Sequence, residues 1–325
     1  MDGSPPMHCE IASVEVCAGA GGQALGLERA GFAHEALVEV EAVCRKTLRF
    51  NRPEWRVLSG DQSNLKTFDA RPYRGIDLLA GGLPCPPFSK AGKQLGAEDE
   101  RNLFPDFLRV VDECRPRAIM VENVRGFLDP TFEEFRNEFR AALEKFGYKV
   151  GWRLFSAADF GVSQLRPRVV IVGVSGGAEF DWPEPQEETP PTVGELLRDQ
   201  MAEGGWEGAE AWAERANQIA PTIVGGSMKH GGPDLGPTRA RNAWAKLGVD
   251  GRSLADAPPA PGFNGMPRLT VPMVARIQGF PDDWTFVGRK TPAYRQVGNA
   301  FPPPVSAAVG RRIARALVPG SILMA

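Results

Sequence analysis

Cys85 lies in a loop whose residue types favour chemistry. The loop reads Gly81-Gly82-Leu83-Pro84-Cys85-Pro86-Pro87-Phe88-Ser89 and follows an apolar run, residues 77–80, that predicts a buried strand. Open α/β sheets place their active sites at the carboxyl ends of such strands. Prolines on both sides stiffen the backbone and so help to aim the side chain. A cysteine in this setting predicts a thiolate nucleophile, with a buried structural cysteine as the alternative.

Two further segments bring charged groups to the same predicted edge. The apolar run 118–122 ends in Glu122, which we expect to emerge beside Cys85 because both strands belong to one sheet. Arg166 and Arg168 are two residues apart at the start of the run 169–174, so they should point the same way. A thiol, a carboxyl group and guanidinium groups in one cleft favour covalent addition assisted by an acid.

A glycine-rich turn follows the first predicted strand and leads into a helix. It reads Cys17-Ala18-Gly19-Ala20-Gly21-Gly22. Such a turn lets a ligand approach the backbone at a helix N-terminus, and alone it fits nicotinamide, flavin or S-adenosylmethionine equally well. Glu39 ends the second predicted strand and is suited to ribose hydroxyls. Asp61 follows the end of an expected third strand and is suited to an adenine amino group.

Strands and helices alternate through the first half of the chain, which predicts an α/β fold with a mainly parallel sheet covered on both faces. The predicted strands are residues 14–17, 36–40, 77–80, 118–122, 150–155 and 169–174, with one more before Asp61. Helical spacing relates Leu103, Phe107, Val110, Val111 and Cys114, and likewise Phe132, Phe135, Phe139, Leu143 and Phe146.

The alternation stops after Gly176. Residues 177–265 are rich in glycine, proline and charge, with few strand-like runs. Regular signals return over residues 268–279, and a last helix has one apolar face. We predict a catalytic and cofactor-binding domain over 1–178, an inserted small, irregular domain over 179–267, and a hinge with a C-terminal helix over 268–325 that returns to the first domain.

In their order along the chain these motifs resemble those of the bacterial DNA (cytosine-5)-methyltransferase family. The matching segments are Ala18-Gly19-Ala20-Gly21-Gly22, Pro84-Cys85, Glu122-Asn123-Val124, Gln164-x-Arg166-x-Arg168, Arg276-Ile277-Gln278-Gly279-Phe280-Pro281 and Gln296-Val297-Gly298-Asn299-Ala300. The resemblance covers residues 12–176 and 267–318, and the gap corresponds to the family's target-recognition region. It implies a Rossmann-like S-adenosylmethionine-dependent methyltransferase sheet carrying an inserted target-recognition domain.

The resemblance implies methyl transfer from S-adenosylmethionine, leaving S-adenosylhomocysteine, to carbon 5 of cytosine in a specific double-stranded DNA sequence. Cys85 would add to carbon 6 of a flipped-out base and Glu122 would act at ring nitrogen 3. Arg168 would bind the cytosine carbonyl oxygen, and Arg166 would support the loop or a phosphate. The cofactor contacts implied are Ala18, Gly19, Gly21, Gly22, Glu39, Asp61, Pro84, Leu103 and Asn299.

The chain departs from the family pattern at a few positions. Cys17 stands where the family usually has phenylalanine beside the cofactor, which affects how the adenine packs. Ser163 replaces a common proline, and Pro86-Pro87 replaces a more usual Gln-x. None of these changes removes a group with a chemical role.

Charge is distributed unevenly in the predicted recognition region. The whole chain has a formal net charge of −2. Arg198 is the only base among the charged residues of 179–214, whereas bases outnumber acids among the charged residues of 215–252. A basic segment in a mildly acidic protein favours phosphate contacts, and we expect Lys229, Arg239 and Arg241 to face DNA from an extended segment. An ordinary solvated surface is the alternative.

Several classes of protein are disfavoured. The five cysteines contain no CxxC pair and the three histidines are dispersed, so neither a disulfide framework nor a metal site is expected. No secretory signal or apolar run of about 18 residues is visible. We expect a monomeric cytoplasmic enzyme that acts on DNA, either as an orphan methylase or beside a separate restriction endonuclease.

Four alternatives remain open. A tRNA cytosine methylase shares most of these motifs, although the glycine-rich insert with its basic half favours DNA. An amino-methyltransferase would need a better hydrogen-bond acceptor than Cys85 before Pro86-Pro87-Phe88. A non-catalytic DNA-binding regulator is disfavoured because Cys85, Glu122 and both arginines are present. A nicotinamide dehydrogenase has only the glycine turn in its support.

Overall fold

A computed structural model of the protein describes residues 11–84, 102–225 and 232–318. The predictions for Cys85 and Lys229 therefore fall outside the described residues. None of the helices within the described ranges is long and apolar enough to cross a membrane.

The described residues form a six-stranded sheet in the order β2-β1-β3-β4-β6-β5. The strands are β1 (Ile11–Val16), β2 (Phe32–Val38), β3 (Leu78–Gly82), β4 (Ala118–Val124), β5 (Lys149–Ser156) and β6 (Pro167–Val174). Strands β2, β1, β3 and β4 pair in parallel, while β6 is antiparallel to both β4 and β5. The mainly parallel α/β sheet predicted from the sequence is confirmed.

The strand expected before Asp61 is not formed, and that expectation was wrong. Only a single parallel bridge joins Val57 to Leu37 of β2. Two apolar residues precede a serine and Gly60, whose φ of +63° ends the extended run. The chain then enters a 3-10 turn at Gly60–Ser63 that carries Asp61.

The described ranges contain ten α-helices, some of which cover the two faces of the sheet. They are α1 (Gly22–Arg29), α2 (Ala42–Asn51), α3 (Phe104–Cys114), α4 (Glu133–Lys145), α5 (Val193–Ala202), α6 (Ala209–Arg215), α7 (Thr238–Lys246), α8 (Val271–Ile277), α9 (Lys290–Asn299) and α10 (Pro303–Leu317). On one face Phe107 and Phe139 join the core around Val121. On the other, Leu27 of α1 and Ile313 of α10 are fully buried. Each such side chain contributes about 1.5–3 kcal/mol by leaving water.

The C-terminal helix α10 packs directly on α1. A Cβ atom at Gly26 would lie 2.4 Å from Cβ of Ser306 and 2.5 Å from the carbonyl oxygen of Pro303. Ser306 also donates its hydroxyl hydrogen to the carbonyl oxygen of Gln23 at 2.8 Å. Helix α1, which begins at the glycine turn, is therefore packed against α10 on its other side.

The region expected to be irregular contains the helices α5, α6 and α7. Trp212 of α6 and Trp244 of α7 are fully buried and share one core with Met273 of α8 and Tyr294 of α9. The inserted segment and the segment after it therefore pack as one body. The domain limits at 178 and 267 stay predictions.

Candidate active site

Glu122 and Arg168 form a buried ion pair at the end of the sheet. The Nε atom of Arg168 lies 2.7 Å from Oε1 of Glu122, and the two side chains are 14% and 11% exposed. Antiparallel pairing sets Val124 of β4 opposite Arg168 of β6, which makes Glu122 the diagonal neighbour of Arg168 on the same face. The structure thus brings together two of the predicted catalytic side chains.

The electrostatics of this pair suit a proton donor. Burial raises the pKa of the Glu122 carboxyl group, and the positive charges of Arg168 and Arg166 oppose that rise. A raised pKa keeps a larger fraction of the carboxyl group protonated near neutral pH. Glu122 therefore has the property expected of a general acid.

The end of β3 leads toward the Glu122 carboxyl group. The Cα atom of Gly82 is paired with that of Glu122, and a Cβ at Gly82 would lie 3.6 Å from Oε2 of Glu122. Pro84, which is half-buried, follows two residues later. Cys85 is the next residue, so its position relative to Glu122 stays a prediction.

Arg166 does not face a substrate. Its side chain is fully buried. The guanidinium group donates to the carbonyl oxygens of Ile223 at 2.7 Å, Gly298 at 2.6 Å and Ala300 at 3.1 Å. The positive charges of Arg166 and Arg168 both act on the Glu122 carboxyl group, while backbone carbonyl oxygens from distant segments bind the guanidinium group of Arg166. Of its two predicted roles, this geometry corresponds to support of a loop and not to a phosphate contact.

The glycine turn has room for a polar ligand. A Cβ at Gly19 would have no heavy atom within 4 Å, so the space above this residue is open. The buried carboxylate of Glu39 accepts hydrogen bonds from the backbone N–H groups of Gly19 and Glu41, both at 2.7 Å. The amide group of Gln23, in the first turn of α1, is buried without a hydrogen-bond partner among the described residues. These features fit a cofactor with polar groups.

Gly21 and Gly22 are glycines for another reason. A Cβ at Gly21 would lie 2.7 Å from Cδ2 of Leu48 and 2.9 Å from the ring of Trp284. A Cβ at Gly22 would lie 2.2 Å from the carbonyl oxygen of Phe301. Close packing of the protein itself excludes a side chain at both positions, whereas Gly19 alone borders open space.

Cys17, which replaces the family's phenylalanine, adopts a left-handed backbone with φ of 54°. Its side chain packs against the core under the sheet. Burial raises the pKa of its thiol, and the negative charge of Glu39 adds to that effect. Cys17 is therefore a packing residue and not a second nucleophile.

The remaining cofactor residues lie on separate elements. Asp61 is exposed on the 3-10 turn, Leu103 is the residue before α3, Asn299 is the exposed last residue of α9, and Ala18 is buried at the end of β1. No group of three His, Cys, Asp or Glu side chains within the described ranges could hold a metal ion.

Arg239 and Arg241 lie on helix α7, and not on an extended segment as expected. Residues two apart on a helix are about 200° apart around its axis, so these side chains do not share a face. Arg239 is exposed. Arg241 donates to the hydroxyl of Thr238 at 3.3 Å and packs against Gly251. Of these two arginines, Arg239 is the exposed one, as a phosphate contact requires.

The match to known proteins decides the enzyme class. The family model of C-5 cytosine-specific DNA methylases matches residues 11–315. The chain belongs to this family. It is therefore a DNA (cytosine-5-)-methyltransferase, and dependence on S-adenosylmethionine follows from the family. The family, the methyltransferase fold and the enzyme class predicted from the sequence are confirmed.

Close relatives are named as components of Type II systems. Type II methyltransferase M.NaeI of Lentzea aerocolonigenes is 56% identical over 309 residues, which are 94% of this chain and 75% of that protein. Type II methyltransferase M.NgoMIV of Neisseria gonorrhoeae is 55% identical over 317 residues, or 95% and 98% of the two chains. The crystal structure of the S. pombe Dnmt2 methyltransferase superposes with a TM-score of 0.64 at 17% identity, covering 95% and 99%, which supports the fold alone.

Sequence reasoning quoted Gln164 and Gln278 within motifs but gave neither a role. Both are fully buried. Their neighbours in the sequence include serine and arginine, so no local signal marks these two side chains as buried.

Proposed function

We propose that the protein methylates carbon 5 of a flipped-out cytosine, within a specific double-stranded DNA sequence, through a covalent Cys85 adduct. The observation that carries this proposal is the buried Glu122–Arg168 pair, which lies beside the strand that leads to Pro84 and Cys85. Carbon 5 of cytosine is a poor nucleophile, so an enzyme needs a group that adds to the ring first.

In the proposed reaction, the Cys85 thiolate forms a bond to carbon 6, and the displaced electron pair moves toward ring nitrogen 3. Glu122 donates its proton or a hydrogen bond to that nitrogen, which its raised pKa favours. S-Adenosylmethionine supplies the methyl group that carbon 5 takes up. A base then removes the carbon 5 proton, the sulfur–carbon bond breaks to release the Cys85 thiolate, and any proton on ring nitrogen 3 returns to Glu122, which restores the ring.

Arg168 has two tasks in this proposal. Its Nε atom holds the Glu122 carboxyl group at 2.7 Å and so fixes the direction of the acid. Its Nη1 atom donates to the carbonyl oxygen of Pro167 at 2.8 Å. The remaining N–H groups of the guanidinium are available for the carbonyl oxygen of cytosine, in the fork geometry that arginine offers.

The cofactor would lie at the glycine turn. Gly19 leaves room for the methionine end, while Glu39 would accept from the ribose hydroxyls with lone pairs that its two backbone donors leave free. Asp61 would bind the adenine amino group. Ala18, Pro84, Leu103 and Asn299 would complete the pocket, with Gly21 and Gly22 acting through the shape of the turn.

DNA must open for this chemistry. Flipping the target cytosine costs a few kcal/mol of stacking and pairing, which contacts from the inserted region would offset. We assign Lys229 and Arg239 to the DNA side, and the names of the relatives support a role in restriction–modification. We further propose a cytoplasmic monomer that acts separately from any endonuclease.

Bisulfite sequencing of DNA from cells that express the protein tests the proposed activity. Wild-type protein should protect cytosines within one short sequence from conversion, and the Cys85→Ala variant, at equal expression, should protect none. Protection that survives Cys85→Ala would contradict the assignment of the nucleophile. Conversion of every cytosine in cells containing soluble wild-type protein would contradict the proposed activity.

A further inference from the structure

Three fully buried polar side chains lie where the catalytic sheet meets the later part of the chain. Gln164 and Arg166 precede β6, and Gln278 directly follows α8. The Nε2 atom of Gln164 donates to Oε1 of Gln278 at 2.6 Å. Buried polar groups persist where their hydrogen bonds are satisfied, so the other partners of these side chains define what they hold in place.

One partner is the recognition segment, residues 220–225 of the predicted target-recognition region. The backbone N–H of Ile223 donates to Oε1 of Gln164 at 2.9 Å. The carbonyl oxygen of Ile223 accepts from Nη1 of Arg166 at 2.7 Å. A parallel bridge between Gln164 and Ala220 adds backbone pairing. Both polar groups of the Ile223 backbone are thus hydrogen-bonded to side chains of the segment that leads into β6.

The second partner is the end of α9. Arg166 donates through Nη2 to the carbonyl oxygens of Gly298 and Ala300, and Gln278 donates through Nε2 to that of Ala300 at 2.6 Å. The recognition segment also touches this end directly, because a Cβ at Gly298 would lie 2.4 Å from the Cα atom of Gly225. The recognition segment, α8, α9 and the start of β6 therefore form one connected body.

This network adjoins the reacting groups. Arg166 is two residues before Arg168, whose guanidinium holds the Glu122 carboxyl group. Asn299, one of the predicted cofactor residues, lies between Gly298 and Ala300, whose carbonyl oxygens accept from Arg166. Hydrogen bonds and packed backbone therefore connect the recognition segment to both the acid and the predicted cofactor side.

We propose that Gln164, Arg166 and Gln278 are positioning residues that couple the seating of the recognition segment on DNA to the alignment of the Glu122–Arg168 pair. This inference rests on the proposed function and concerns how the target sequence controls the rate. A DNA sequence that does not seat the segment leaves the pair misaligned, so discrimination appears in kcat and not only in KM.

The variant Arg166→Lys tests the coupling. Lysine keeps the positive charge but lacks the planar fork that contacts Ile223, Gly298 and Ala300 together. The matched control is Arg136→Lys, because Arg136 is also buried and donates from Nη1 to two backbone carbonyl oxygens, at 2.6 and 2.8 Å, outside this network. Both variants are assayed with the target found by bisulfite sequencing and with duplexes that differ from it by one base pair.

We expect Arg166→Lys to lower kcat on the target and to reduce the kcat ratio between target and altered duplex by a factor of about 5–150, the usual span of coupling between sites. Arg136→Lys should change neither kcat on the target nor the kcat ratio between target and altered duplex, even where both variants lose equal thermal stability. An unchanged ratio for Arg166→Lys, or an equal loss in both variants, would overturn the proposal.

Gln278→Leu provides an independent variant should Arg166→Lys not fold. It removes the bonds to Gln164 and Ala300 without adding a charge, and the same loss in the kcat ratio is expected. Full discrimination by Gln278→Leu would count against the network. Absence of methylation by the wild type on any duplex would instead contradict the proposed function, so the two failures are distinguishable.

Discussion

At the scale of single residues, the site depends on a carboxyl group held in an unusual state. Glu122 is buried beside Arg168, and burial outweighs the neighbouring positive charge, so its pKa is raised. A paired carboxylate on a protein surface would show a lowered pKa instead. The raised value is what allows one residue to orient toward an arginine and still deliver a proton.

Replacing Glu122 by glutamine should lower kcat by roughly 10²–10⁴, as for the loss of a general acid, with little change in DNA affinity. The wild-type rate should also fall as pH rises through the raised pKa of Glu122, because only the protonated carboxyl group can donate. Glutamine does not titrate, so this loss at high pH should disappear. Kinetics of methyl transfer across pH would measure both effects. The control is Glu210→Gln, which changes an exposed glutamate. A full rate with Glu122→Gln would mean that another group donates to ring nitrogen 3.

Some of the site residues could be predicted from the sequence and others could not. Glu122 and Arg168 were predictable because each lies at an end of an apolar strand, and adjacent strands bring such ends together. The partners of Arg166 were not predictable, because their carbonyl oxygens lie 57, 132 and 134 residues away in the chain. Spacing along one strand says nothing about which distant backbone a side chain will meet.

At the scale of elements, six of the seven expected strands form, whereas the strand expected before Asp61 does not, and several helices were not predicted. Apolar runs of four to six residues between turn signals favour strands, but such a run alone does not distinguish a strand from a buried helical segment. Helices α5, α6 and α7 are short and separated by glycine- and proline-rich loops, and burial of Trp212 and Trp244 in a shared core stabilises them. Their stability comes from tertiary packing, which a local pattern does not reveal.

The close contact between α1 and α10 predicts that Gly26→Ala destabilises the protein. Alanine at Gly26 should improve helix propensity by about 1 kcal/mol, yet its Cβ would meet Ser306 and Pro303 of α10 at 2.4 and 2.5 Å. Overpacking should dominate, and the free energy of unfolding in urea should fall by about 1–3 kcal/mol. Ala245→Gly, at an exposed position of α7, reports propensity alone. Stabilisation by Gly26→Ala would show that α10 is not packed on α1 in this way.

At the scale of the whole molecule, charge is separated within a nearly neutral protein. The net charge is −2, but residues 179–214 are acidic and residues 215–252 are mainly basic. Arg239 is one of the exposed bases of this segment, on α7, and so could meet a phosphate. The equally exposed Arg198 of the acidic stretch is instead paired with Glu210 at 3.3 Å.

Arg239→Ala should weaken binding to all duplexes alike and reduce the slope of log affinity against log salt by about 1, as for one lost phosphate contact. Arg198→Ala should leave that slope unchanged, because its side chain faces an acid. Titrations of DNA binding at several salt concentrations compare the two variants. Equal slopes for Arg239→Ala and the wild type would place the phosphate contacts elsewhere on the molecule.

The central claim, covalent catalysis by Cys85, is tested most directly with a duplex that carries 5-fluorocytosine at the target position. Fluorine cannot leave carbon 5 as a cation, so the reaction should stop after methyl transfer with the protein bound to DNA. With S-adenosylmethionine, the wild type should give a denaturation-resistant adduct, and Cys85→Ala should give none. Cys114→Ala should still give it, because burial raises the pKa of that thiol to about 12. An adduct formed by Cys85→Ala, or none formed by a wild type that methylates ordinary cytosine, would contradict the account.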